Sequence, residues 1–359
     1  MRIIYIGDAT SIHVIEWAKY FSGCGYEVHI ISDNFNSLPD LKIHYTGQCL
    51  YKPHLPFVSA TLQIAIKIIK IRKLVNTIKP DIIHAHYATN YGFLSSFFKN
   101  IPLMLTCHGS DILIDYEKKI INKIFIKKAL KRADIITAPS HNMKNKIIHI
   151  LKSTPPKIVK IQYGIDIDKF KFKFDLDKGI INIISTRSLE KKYRIETLIE
   201  ALKILEEKSK LNVLIIGSGS MEKHLKKMVD NYNLRDYIKF YGKIGHNDIP
   251  KYYSSSHIYI STSPSDGLSI SLLEAFASGC YPILPNIPAN KELVKMGFNL
   301  KLYEVNNPFS LSAVIEDTLK KINYIKKDIF KNRILVEKHF DRNKNMKKIE
   351  EIYKHLISV

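Results

Sequence analysis

The chain has 359 residues, 45% apolar and 25% charged, with 55 Lys and Arg against 34 Asp and Glu and a net charge of +21. Its length exceeds one ordinary hydrophobic core and predicts two domains of roughly 170 residues, while its apolar content excludes long disordered tails. The positive charge selects anionic partners, whether phosphorylated substrates, an anionic membrane face or nucleic acid, and it clusters between Lys118 and Lys160, where twelve Lys and Arg meet one acid, Asp134.

Residues 1–7 are a strand-sized apolar run ending at Gly7, too short for a signal peptide. Short β-branched runs at 3–6, 28–32, 82–84, 103–107 and 135–138 then alternate with amphipathic stretches, among them predicted helices at 64–75 and 118–131. The pattern restarts after residues 171–179, with runs at 180–185, 213–216, 238–241, 258–261 and 281–284. Such alternation predicts two doubly wound α/β domains with parallel sheets, whose ligands bind beyond the carboxyl ends of the strands in a central cleft. The expected boundaries are 1–170, 171–335 and a C-terminal helix within 336–359, with Met346, Ile349, Ile352, Tyr353 and Ile357 on the face that docks back on the first domain. No stretch reaches the ~18 apolar residues needed to span a membrane. Cys24, Cys49, Cys107 and Cys280 form no CxxC pair, which predicts buried, reduced thiols and a cytoplasmic setting.

Several loops after strands carry residues with chemistry. Asp266-Gly267-Leu268-Ser269-Ile270 leads into a helical run that includes Glu274; first-turn amides and the helix dipole there make an anion site. Read alone, Asp266 either reaches a ligand or caps the helix, and Glu274 either accepts from ribose hydroxyls or is a surface acid. Arg187 and Lys192 share a second loop, with Lys191 adjacent, where fixed cations can hold a phosphate. Gly217-Ser218-Gly219 is a glycine loop that lacks the third glycine and distal acid of a dinucleotide fingerprint. In the first half, His108 opens His-Gly-Ser-Asp after a strand, His86 ends another, and His13 and Trp17 lie four apart beyond Gly7. Each histidine is either a ligand contact or a packed core residue. There is no Ser-His-Asp set, His-Glu-x-x-His motif or Asp-x-Asp pair in a suitable context.

Residues 263–282 resemble the Glu-x7-Glu signature of retaining glycosyltransferase family 4, with Asp266 at the first acidic position and Glu274 at the second, and the resemblance extends over most of the chain. It implies the GT-B fold, two Rossmann-like domains. It also implies transfer of a hexosyl group from a UDP- or GDP-linked sugar to a glycan or lipid-linked acceptor in cell-surface polysaccharide synthesis, retaining configuration by a front-face route. Arg187 and Lys192 would bind the diphosphate, with Tyr193 standing where the family has glycine. Asp266 would meet the sugar and Glu274 the ribose, while Gly267, Leu268, Ser269 and Ile270 line the donor. Gly217, Gly219, Gly242 and Lys243 would lie beside the base. His108 would contact the donor sugar or its phosphate, and Gly7, His13, Trp17 and His86 the acceptor. No metal and no cofactor beyond the donor are expected.

The basic helices at 64–75 and 118–131 add an expected peripheral contact with the anionic inner face of the cytoplasmic membrane. Two alternatives remain beside this reading. One is a GT-B sugar-nucleotide epimerase or inactive partner subunit, kept open by Asp266. The other is a basic nucleic-acid-binding protein, which the lysine-rich chain without a base-stacking module disfavours.

Overall fold

The computed structural model describes residues 1–47, 57–152, 156–176 and 179–358. The chain forms two compact units, Met1–Gln162 with Met346–Val359, and Tyr163–Asn345. In the first, β1 (Arg2–Ile6), β2 (Glu27–Ser32), β3 (Lys42–Tyr45), β4 (Ile82–His86), β5 (Leu103–Thr106), β6 (Ile135–Ala138) and β7 (Lys157–Lys160) form a parallel sheet in the order β3-β2-β1-β4-β5-β6-β7. Side chains alternate between its faces. Ile4, Ile6, Ile83, Ala85 and Leu105 share one core with Ile71 and Ile126. Tyr5 and His84 point the other way and meet Trp17 and Tyr353 of the helices Ile12–Gly23 and Arg342–Ser358, with Phe21 packed on Tyr353.

The second unit holds β8 (Ile181–Thr186), β9 (Leu211–Ile216), β10 (Ile238–Phe240), β11 (Ile258–Ile260), β12 (Tyr281–Pro285) and β13 (Lys301–Tyr303), all parallel in the order β10-β9-β8-β11-β12-β13. Ile183, Val213 and Ile215 fill one face; Ile184, Leu214 and Ile216 fill the other. Both sheets reverse direction at their first strand, so the ligand crevices lie beyond β1 and β4 in one unit and beyond β8 and β11 in the other.

The sequence reading needs four corrections. Strands β3, β7 and β13 went unread because all three are edge strands of three or four residues beginning with lysine, only half-buried and without an apolar run. Residues 163–170 pack with the second unit rather than the first. Ile165 and Phe170 join its core, Ile165 bridges Asp341, and the Arg333 guanidinium donates to the carbonyls of Phe170 and Ala277. Gly164 permits this crossing at φ +87°, where a Cβ would lie 2.4 Å from the Phe340 carbonyl oxygen. The expected terminal helix forms over Arg342–Ser358, but residues 336–339 close a separate preceding helix, Lys326–His339, and on the docking face Met346, Ile349 and Tyr353 are buried whereas Ile357 is exposed. The helix expected at 118–131 breaks at Lys119, whose backbone is extended, and resumes as Ile120–Arg132.

Of the cysteines, Cys107 and Cys280 are buried free thiols, Cys24 is exposed, and Cys49 lies outside the described residues. Among the described residues no helix is long and apolar enough to cross a membrane.

Candidate active site

In the second unit β8 ends at Thr186 and delivers Arg187 to the switch point. Its guanidinium is bonded to the Asp266 carboxylate, which comes from the loop after β11. Burial disfavours the Arg187 charge, but the Asp266 carboxylate together with the Tyr259 and Tyr193 hydroxyls outweighs it and the arginine pKa is raised. Arg187 Nε is buried and makes no hydrogen bond, so the group keeps an unused donor. The pair lines a small pocket with Ser261, Ser263, Ser269 and Asn290.

Glycines behind Arg187 set its place. At Gly217 (φ +146°) a Cβ would stand 2.1 Å from the Arg187 carbonyl oxygen, and at Gly219 one would stand 2.4 Å from that of Leu189. These glycines serve the close packing of two loops. The Gly217 amide also donates to the Gly242 carbonyl at 2.8 Å, and Lys243 beside it is exposed. Lys191 and Lys192 are exposed in a short 3-10 turn. Lys192 Nζ lies 4.9 Å from the centre of the Tyr193 ring, which the Arg187 guanidinium also approaches at 5.4 Å, so the tyrosine in the family's glycine position gathers both cations.

The helix Ile270–Ser278 begins at this pocket. Ser269 is its N-cap, accepting from the Leu272 amide. Of the first-turn amides this leaves those of Ile270 and Ser271 without an intrahelical acceptor. Leu268 and Ile270 pack their side chains on the core, so only their backbone can serve a ligand. Gly267 is buried. Glu274, in the second turn, is 5% exposed and accepts from His246 Nε2 at 3.2 Å. Sequence reading missed His246, since 28 residues, a helix and a strand separate it from its partner.

In the first unit the expected acceptor residues converge at the other switch point. His86 Nδ1 and His108 Nε2 are 3.0 Å apart. Tyr87 stacks on His108 at 4.5 Å, His13 lies 5.0 Å from it, and Trp17 meets the edge of His86 at 5.3 Å. A Cβ at Gly7 would come within 2.9 Å of Val14 and 3.3 Å of His86, so glycine lets the helix Ile12–Gly23 approach β4. Burial holds His84, His86 and His108 well below the ordinary histidine range, with neighbouring histidines adding to the effect. Asp111 of the His-Gly-Ser-Asp segment is fully buried and accepts from the amides of Ala88, His108, Gly109 and Ile112. It therefore shapes the loop that presents His108.

Two doubly wound parallel sheets of this order, each with polar side chains gathered at its switch point, are the two domains of the GT-B fold. The solved structure of Anabaena HepE in complex with UDP has this fold, with a TM-score of 0.80 at 17% identity over 99% of this chain and 100% of that one. Residues 166–334 match the family model for glycosyl transferases group 1 and residues 2–142 that for glycosyl transferase 4-like proteins. The chain belongs to the group 1 glycosyltransferases. It is 27% identical to an uncharacterized glycosyltransferase of Methanocaldococcus jannaschii over 98% of this chain and 95% of that protein. It is also 27% identical to the Escherichia coli UDP-Gal:alpha-D-GlcNAc-diphosphoundecaprenol alpha-1,3-galactosyltransferase over 80% of this chain and 78% of that one.

Proposed function

We propose that this glycosyltransferase moves a hexosyl group, with retention of configuration and without a divalent metal, from a UDP- or GDP-linked sugar to a glycan or lipid-linked acceptor in cell-surface polysaccharide synthesis. The observation that carries the donor half is the Arg187–Asp266 pair beside the capped helix start. A guanidinium with an unused Nε–H, a neighbouring lysine and first-turn amides suit the charge that a departing nucleoside diphosphate develops.

In this reading Arg187 and Lys192 hold the diphosphate, Lys192 rather than Lys191 because it shares the Tyr193 ring with Arg187. Asp266 receives the sugar hydroxyls and Glu274 the ribose. The loops at Gly217, Gly219, Gly242 and Lys243 border the base. His108 meets the donor sugar or phosphate, and Gly7, His13, Trp17 and His86 form the acceptor side. The leaving diphosphate itself takes the acceptor proton. The name of the Escherichia coli relative, a transferase acting on a diphosphoundecaprenol-linked sugar, supports a lipid-linked acceptor. Work at the inner face of the cytoplasmic membrane would follow from such an acceptor.

A thermal-shift screen of UDP- and GDP-sugars identifies the donor, because a ligand of the folded state raises the midpoint. With that donor, Arg187→Ala and Glu274→Ala are each expected to lose transfer while keeping the wild-type fold by circular dichroism. Near-normal turnover in either would refute the assignment.

A further inference from the structure

Glu274 is the end of a hydrogen-bond chain drawn from three separate segments of the second unit. The Lys169 ammonium lies 3.0 Å from His246 Nδ1 and donates to Asn247 Oδ1 at 2.9 Å. His246 Nε2 is 3.2 Å from Glu274 Oε1. Phe170, 1% exposed, sets its ring edge-on against the imidazole with centres 6.1 Å apart.

The chemistry of the ends fixes the middle. A lysine ammonium has donors only, so His246 Nδ1 must accept with its lone pair. The ring is then neutral with its proton on Nε2, and that N–H donates to the carboxylate. The chain runs in one direction, Lys169 to His246 to Glu274. It occupies one carboxylate oxygen of Glu274 and stops the group from turning about its last torsion. A carboxylate held in this way presents its second oxygen in a fixed direction, the arrangement by which outer partners orient a binding group.

We propose that His246, held in its Nε2–H tautomer by Lys169, is a positioning residue that aims the second oxygen of Glu274 at a ribose hydroxyl of the nucleoside diphosphate. The inference rests on the reading that Glu274 meets the ribose, and it adds the device that lets it do so.

Calorimetric titration tests it. The wild-type protein is titrated with UDP and GDP, and then with the 2′-deoxy and 3′-deoxy forms of whichever binds. Wild type is expected to prefer the ribose form by about tenfold or more, the size of a hydrogen bond to a charged group. His246→Phe should lose most of that preference. His246→Gln, whose amide offers both an acceptor and a donor, should restore it, and Lys169→Met should erode it in part. A merely structural role would lower the melting midpoint of His246→Phe and leave the preference untouched, and that result overturns the proposal. Glu274→Ala separates the two ideas: loss of the preference in Glu274→Ala alone leaves the ribose reading standing without His246. Retention of the preference in Glu274→Ala, or no binding of either diphosphate to wild type, removes the ribose reading and this inference with it. Should His246→Phe fail to fold, His246→Gln and Lys169→Met decide between these outcomes by the same ratio.

Discussion

Arg187 and Asp266 are bonded to each other across the point where the second sheet reverses its strand order. Their side chains are only 14% and 22% exposed, so the attraction is screened less than that of a surface pair. A diphosphate arriving at Arg187 competes with the carboxylate already there. Asp266→Asn keeps the shape and removes the charge. Free nucleoside diphosphate is therefore expected to bind about three- to tenfold tighter to Asp266→Asn, while sugar transfer falls at least about tenfold because the sugar-side carboxylate is gone. Calorimetry and turnover read the two effects separately. Weaker diphosphate binding would mean that Asp266 serves chiefly to aim Arg187 rather than to compete for it.

This pairing marks how far the sequence could be read. The central strands announce themselves because parallel strands buried on both faces must be apolar runs, as in Arg2–Ile6 and Ile82–His86. The loops that carry Arg187, Asp266 and His108 follow those strands, so their place at the strand ends was legible, while their roles came from the family resemblance. Contacts between loops were not legible. Nothing local says that Asp266 turns to Arg187, that Glu274 takes His246 as its partner, or that Gly217 is glycine because the Arg187 carbonyl lies against it. The unit boundary was misplaced for a related reason: residues 163–170 look like a charged exit, and only the packed structure shows Ile165 and Phe170 entering the second core.

The histidines of the first unit give its stability a pH dependence of definite sign. His84 and His86 are fully buried, and burial lowers both pKa values well below the ordinary one. His84 is held between the Tyr353 hydroxyl at 2.5 Å and the Thr106 hydroxyl at 2.7 Å, and His86 faces His108. Unfolding releases both rings to take up protons near their ordinary value of about 6.5, while the folded rings stay neutral. Their contribution is therefore intact above about pH 6.5 and drains away below it, by up to ~1.4 kcal/mol per pH unit for each ring. Trp17 is the only tryptophan and sits against both imidazoles, so its fluorescence reports this unit alone. Its melting midpoint is expected to drop between about pH 7.5 and about pH 5.5, and less steeply in His86→Gln. An equal slope in that variant would show that other groups carry the acid sensitivity.

The outer face of the first unit bears on where the protein works. On the helix Phe57–Ile78, Leu62, Ile66 and Ile69 are 60%, 46% and 64% exposed, and their i, i+4, i+7 spacing places them on one stripe. Lys73 continues that stripe and Arg72 flanks it, both exposed. Lys67 of the same helix is instead turned inward, 3.0 Å from the Asp33 carboxylate, so the basic residues left outside are those beside the apolar stripe. On the helix Ile120–Arg132, Ile120 and Ile124 are likewise exposed, and Lys128 lies 3.5 Å over the Phe97 ring. Water disfavours such stripes, whereas the headgroup region of an anionic bilayer accommodates both the apolar side chains and the cations. The protein is expected to sediment with vesicles containing anionic lipid, less at high salt and not with neutral vesicles. Ile66→Asp with Ile69→Asp should abolish sedimentation while leaving diphosphate binding unchanged, since neither residue lies in the second unit. Sedimentation that persists in the double variant would move the contact away from this helix, and its absence with every vesicle in the wild type would end the membrane reading.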